Sequence, residues 1–239
     1  MLSNILNNLG MQNFDIMEIL IRVFVIMISL SIHEAAHAFR AYKLGDDTAE
    51  RAGRLSLNPL VHLDPLGTLM MFIARVGWAK PVPINPLLFT RAKSMKRGII
   101  EVSIAGPLSN LILSFGSYLI YSIVRVVTLK STGGLPDDGI MSIIFQILHT
   151  MFLLNIFLAV FNLLPVPPLD GFKIFGAFLP SRIYYKLMEY ERYIGIAFIL
   201  IIVFGGSLFS TILTTLATPF YLLITWPLDS LSMLLLRVF

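Results

Sequence analysis

Apolar residues arrive in long runs separated by short polar loops. Stretches of about 20 mostly apolar residues, the length a helix needs to cross a bilayer, occur at Ile16–Leu44, Gly98–Leu129, Gly139–Leu164, Tyr193–Leu213 and Thr215–Leu236. Five membrane-spanning helices are expected. The fold class that follows is an all-α polytopic membrane protein. The single membrane-embedded domain 1–239 would divide into a core of about 16–175 and C-terminal helices of about 183–239.

The loops set the orientation. Between the first two spans, Arg51, Arg54, Arg75, Lys80, Arg91, Lys93, Lys96 and Arg97 outnumber Asp46, Asp47, Glu50 and Asp64. Such a basic excess beside short spans marks the cytoplasmic side. The next loop, "KSTGGLPDDG", is acidic and belongs outside, whereas Lys173, Arg182, Lys186 and Arg192 return the chain to the inside. Alternation then places the N-terminus outside and the C-terminus, near Arg237, in the cytoplasm of what reads as a bacterial plasma membrane. The first basic residue is Arg22, so no charged leader region precedes the first span, which is expected to stay in the mature protein.

One segment fits neither class. From Asp64 to Pro86 an apolar patch of about ten residues is interrupted by Arg75 and flanked by basic loops, too short to cross. It is expected to form a re-entrant or interfacial β-like hairpin, permitted at membrane depth where protein or water satisfies its backbone. The alternating "WAKPVPI" within it reads as a short edge strand whose prolines limit free pairing.

Composition sharpens this picture. The chain is 56% hydrophobic and 13% charged, with a mean hydropathy of +0.82, against about 25% charged residues in soluble domains. It contains no Cys, which excludes disulfides and thiolate metal sites and leaves His, Asp and Glu to hold any metal. The net charge of +4 reports Lys and Arg gathered on the cytoplasmic side, so no nucleic-acid partner is expected. No internal repeat supports a repeat-built transporter.

Chemistry concentrates at "HEAAH" in the first span. On a helix, His33 and His37 fall on one face, where both imidazoles reach a single Zn²⁺, and Glu34 is placed to take a proton from water at the metal. Ionisable groups at membrane depth are costly and point to function. A helix continuing to Leu44 would set this site within the membrane but close to the cytoplasmic side. A catalytic zinc also needs a third protein ligand and an open position. Asp170 stands in "PVPPLDG", where prolines end the third span. Alone it reads as an interfacial aspartate at a turn; paired with the two histidines it reads as the third ligand. His62 has two readings, beside the metal or purely structural. His149 lies at the wrong depth, and Asn110 and Asn155 suit hydrogen bonds between helices, Asn110 with the closer access because Gly106 and Pro107 allow near approach to the zinc helix.

"HEAAH", "AGPLSN" at Ala105–Asn110 and "NLLPVPPLDG" at Asn162–Gly171 together resemble the three signatures of the site-2 protease family of intramembrane zinc metalloproteases, over about Ile16 to Phe175. "RLSLNPLVHLDPLGTL" followed by "WAKPVPINP" is similar to the compact bacterial members without PDZ or CBS domains. The resemblance implies one Zn²⁺ per chain held by His33, His37 and Asp170, with Glu34 as base and Asn162 stabilising the oxyanion. It implies substrates that are transmembrane segments, unwound and paired with an edge strand, here Trp78, Lys80, Val82 and Ile84. A regulatory membrane partner would suit regulated intramembrane proteolysis. Two rival readings are a metal-ion transporter, which would distribute ligands along a path, and a catalytically silent scaffold, which would lack a ligand or the base.

Overall fold

A computed structural model of the chain describes residues 16–64, 67, 79–136 and 138–238. Seven helices carry the architecture: α1 (Ile16–Lys43), α2 (Met95–Thr132), α3 (Gly139–Asn162), α4 (Asp170–Gly176), α5 (Ser181–Glu189), α6 (Glu191–Phe204) and α7 (Gly206–Val238). Four of the described helices are long and apolar enough to cross a membrane: α1, α2, α3 and α7 up to Arg237.

Two stripes at four-residue spacing explain how the bundle closes. On α1, Ile21, Val25, Ser29, His33, His37 and Ala41 are buried along one face. On α2 the matching stripe is Gly98, Val102, Gly106, Asn110, Ser114, Tyr118, Ser122 and Val126. Residues four apart share a helix face. Small and hydroxyl side chains there let backbones approach, which lipid, offering no hydrophobic contrast, would not otherwise drive. Phe152, Asn155, Ile156, Ala159 and Val160 of α3 complete the core. An ion pair between Arg40 and Glu101 fastens α1 to α2 near one end of the bundle.

Helix ends follow local chemistry. Ser94 caps α2 by accepting from the Arg97 amide, and Gly133 closes it in the left-handed conformation at φ +75°, donating to Leu129 O. α3 stops at Asn162, before Pro165, Pro167 and Pro168.

The C-terminal part departs from expectation. The break expected near Thr214 is absent, and α7 runs unbroken through it. The chain instead breaks at Gly205 and Gly206, leaving α6 with 14 residues, about 21 Å and too short to cross. Adjacent glycines are where a helix bends at low cost.

Contacts also fix the direction of α7. Phe209, near its start, meets Phe161 at the end of α3, Tyr221 meets Phe152, and Asp229 accepts a 2.8 Å hydrogen bond from the Tyr118 hydroxyl of α2. Arg125 lies 3.8 Å from the same carboxylate. α7 therefore runs in the same sense as α2, while α1, which pairs His33 with Asn110 and His37 with Val102, runs opposite. The first and last described residues thus lie at one end of the bundle, not at opposite ends as expected. The difference corresponds to one reversal, which a 14-residue α6 is too short to supply as a single crossing.

The expected hairpin from Asp64 to Pro86 falls largely outside the described residues, as do Arg75 and Trp78. Its described remainder is not a strand. It makes one isolated antiparallel bridge, Leu63 with Ala79, and the side chains of Lys80, Val82 and Ile84 are respectively exposed, buried and half-buried. Pro81 and Pro83 supply no amide hydrogen for a ladder.

Candidate metal centre

The α1 stripe brings His33 and His37 together, their rings edge to face with centroids 4.6 Å apart. Each imidazole is held from behind at Nδ1. His37 Nδ1 donates to the Val102 carbonyl at 2.7 Å, and His33 Nδ1 donates to Oδ1 of Asn110 at 2.6 Å. With hydrogen on Nδ1, both Nε2 atoms present lone pairs to the same point.

Asp170 reaches that point from α4. After α3 ends, Leu163 to Leu169 turn back through short bonds such as Val166 N to Leu164 O and Leu169 N to Val166 O. Gly171 permits this turn, since a Cβ there would lie 2.2 Å from Leu163 O. The Asp170 Oδ2 is 3.1 Å from His33 Nε2 and 3.0 Å from His37 Nε2, which are themselves 3.0 Å apart. All three residues are buried.

Three electron-pair donors packed this closely fit a cation. Ligand atoms about 2.0–2.1 Å from a tetrahedral Zn²⁺ lie about 3.3 Å from one another, close to the separations here. Two imidazoles and a carboxylate suit zinc, and each imidazole has the hydrogen-bonded Nδ1 that orients a metal ligand.

Glu34 points into a cavity of about 540 Å³ beside the cluster, shared with Asn162, Leu169 and Phe172. Its Oε2 accepts a 2.9 Å hydrogen bond from the amide of Val82. The Val82 segment is in turn held by Arg54, whose guanidinium donates to the Lys80 carbonyl, and by the Lys80 amide, which donates to His62 O at 2.9 Å.

Other expected residues take different places. Asn162 lines the cavity but its amide donates to Leu158 O on its own helix at 2.9 Å. Asn110 contacts His33 directly. His62 is buried away from the cluster, its Nε2 donating to Ser56 O at 2.7 Å. Tyr184, Met188 and Glu191, beyond the expected core, line the cavity as well. Their involvement had no signal in the sequence.

The Peptidase family M50 profile matches residues 122–204, which include Asn162 and Asp170. The chain is also 40% identical over 183 residues to YwhC of Bacillus subtilis (strain 168), whose name assigns it to the zinc metalloproteases; the match covers 76% of this chain and 79% of that protein. The chain belongs to peptidase family M50. A second relative is Rip2 of Mycolicibacterium smegmatis (strain ATCC 700084 / mc(2)155), also named as a zinc metalloprotease, 32% identical over 63% of this chain and 56% of its own length. No solved structure matches the chain.

Within this M50 peptidase, Gly106 of "AGPLSN" acquires a physical role. A Cβ on it would come within 2.4 Å of His37 Nε2 and 2.5 Å of His33 Cε1. α2 therefore lies against both imidazoles only because that position has no side chain.

Proposed function

We propose that the cavity beside His33, His37 and Asp170 is the active site of an intramembrane zinc metallopeptidase that hydrolyses peptide bonds in or near transmembrane segments of membrane proteins. The single observation that carries this is the convergence of two Nε2 atoms and a carboxylate oxygen within about 3 Å, next to a separate carboxylate on the residue after His33. A zinc ion bound there supplies Lewis-acid chemistry, polarising a carbonyl and bringing the pKa of water toward 7.

The chain's own residues do the rest. Glu34 takes the proton of the attacking water and delivers it to the leaving amine. The Val82 amide holds one oxygen of that carboxylate, leaving the other free. Asn162, once turned from Leu158 O, donates to the developing oxyanion. The substrate helix must give up local hydrogen bonds first, and residues from 79 to 86 are the segment along which it would lie.

We place the cluster end of the bundle on the cytoplasmic side of a bacterial plasma membrane, because the loops and helix ends there carry Arg51, Arg54, Lys93, Lys96, Arg97 and Lys173. His33 and His37 then lie about 15 and 9 Å from the Lys43 end of α1. Both chain ends face outward and α6 stays in the cytoplasmic half, so the number of crossings is four rather than five. Regulated intramembrane proteolysis, with a membrane partner presenting the substrate, fits a single membrane-embedded peptidase domain.

The test uses purified protein in liposomes with a labelled single-span substrate. Cleavage should stop on zinc removal and return with added Zn²⁺, and Glu34→Gln should bind zinc without cleaving. Zinc flux across the liposomes with the substrate intact would instead favour transport.

A further inference from the structure

Behind His33 a line of buried amides crosses all three core helices. It starts at the Met151 carbonyl, which can only accept. Nδ2 of Asn155 lies 2.8 Å from it and also donates to Ser29 Oγ at 2.9 Å. The Asn155 oxygen therefore faces the other way and accepts from Asn110 Nδ2 at 2.7 Å. That turns the Asn110 oxygen onto His33 Nδ1 at 2.6 Å. An amide oxygen cannot donate, so the hydrogen on this contact belongs to His33, and Nε2 is left bare toward Asp170 and His37.

Each amide is locked by the one before it. Asn110 and Asn155 are both 0% exposed, so neither can trade its partner for water, and reversing either would set hydrogen against hydrogen or oxygen against oxygen. His37 needs no such line, because its Nδ1 meets a backbone carbonyl directly. The two histidines thus have their tautomers fixed by different means, one by the backbone and one by two side chains.

We infer that Asn155 is a positioning residue for zinc: through Asn110 it sets the His33 tautomer that leaves Nε2 free to bind the metal, although Asn155 touches neither metal nor substrate. This rests on His33 being a zinc ligand. When leucine replaces Asn155, Asn110 loses its fixed end and can rotate to offer Nδ2 to His33. The imidazole then carries its hydrogen on Nε2, facing the cluster.

The test is zinc affinity, measured on the full chain in detergent by competition with a chromophoric chelator. Asn155→Leu should weaken binding by about 10- to 100-fold, the usual effect of removing a group that orients a metal ligand. Adding Asn110→Asp to Asn155→Leu should restore affinity to within about 5-fold of the wild type, because a carboxylate can only accept and fixes the His33 hydrogen without help. Both variants carry the Asn155→Leu change, so any general packing defect is common to them, and what differs is the group that faces His33 Nδ1. Unchanged affinity in Asn155→Leu, or a double variant as weak as the single one, overturns the role of Asn155. His33→Ala serves as the control: if it binds zinc as the wild type does, the ligand assignment itself falls, whereas loss there with Asn155→Leu unaffected refutes the relay alone.

Discussion

Gly106 of α2 faces the imidazole of His37 so closely that one added carbon would sit 2.4 Å from its Nε2. The carbon would meet the nitrogen that faces the cluster, not the far end of a flexible side chain. Gly106→Ala should therefore push α2 away or twist both rings, at about 1–3 kcal/mol as for other overpacked sites. Zinc content of the purified variant should fall well below that of the wild type while the helical circular dichroism is kept. Full zinc occupancy would mean the helices separate without disturbing the histidines.

Asp170→Ala should remove zinc and activity together. It leaves two protein ligands where catalytic zinc sites use three, and no other carboxylate among the described residues joins the cluster. Metal analysis after gel filtration checks this. Retention of about one zinc per chain would assign the third position to another group.

Asn162→Ala should separate binding from turnover. The side chain lines the cavity but bonds to Leu158 O rather than to His33, His37 or Asp170, so zinc occupancy should stay while the rate drops by about 10²- to 10³-fold, typical of a lost oxyanion donor. An unchanged rate would leave Asn162 as a helix-end residue bonded to Leu158 O.

The topology can be read with single cysteines, since the chain has none. Cysteines introduced at Lys96 and Ser207 should react with an impermeant thiol reagent from one face of sealed vesicles. Those at Lys130 and Arg237 should react from the other. If Arg237 and Lys96 label from the same face, α7 does not run alongside α2 as the Tyr118–Asp229 contact requires.

The legible parts of the sequence were those where chemistry or length leaves few options. α1, α2 and α3 are apolar runs that match the expected spans to within a few residues; His33 and His37 stand out because ionisable groups are expensive in an apolar span, and Asp170 stands out once paired with them. The end of the chain was harder. Thr214, Thr215 and Pro219 look like a break by composition, yet in lipid the threonine hydroxyls bond back to their own helix, as Thr215 does to Thr211 O and Thr218 to Thr214 O. Gly205 and Gly206, set in an apolar run, gave little contrast. Hydropathy also carries no direction, so the shared side of the two chain ends emerges only from pairs such as Phe209 with Phe161. The hydrogen bond from Val82 to Glu34 joins residues 48 apart and leaves no trace in spacing.

Between Lys80 and Pro83 the chain keeps no amide hydrogen to give away. Two of the four residues are prolines, the Lys80 amide is bound to His62 O, and the Val82 amide is bound to Glu34. A visiting peptide lying here meets carbonyls, and must either bring its own donors or draw the Val82 hydrogen off the carboxylate. In the second case arrival of a guest would release the held oxygen of Glu34, so that carboxylate would be bridled at one oxygen while the cleft is vacant and loosed when it is filled. An ester-for-amide replacement along the guest backbone would reveal which of the two happens, because it removes the guest's donor without changing its outline.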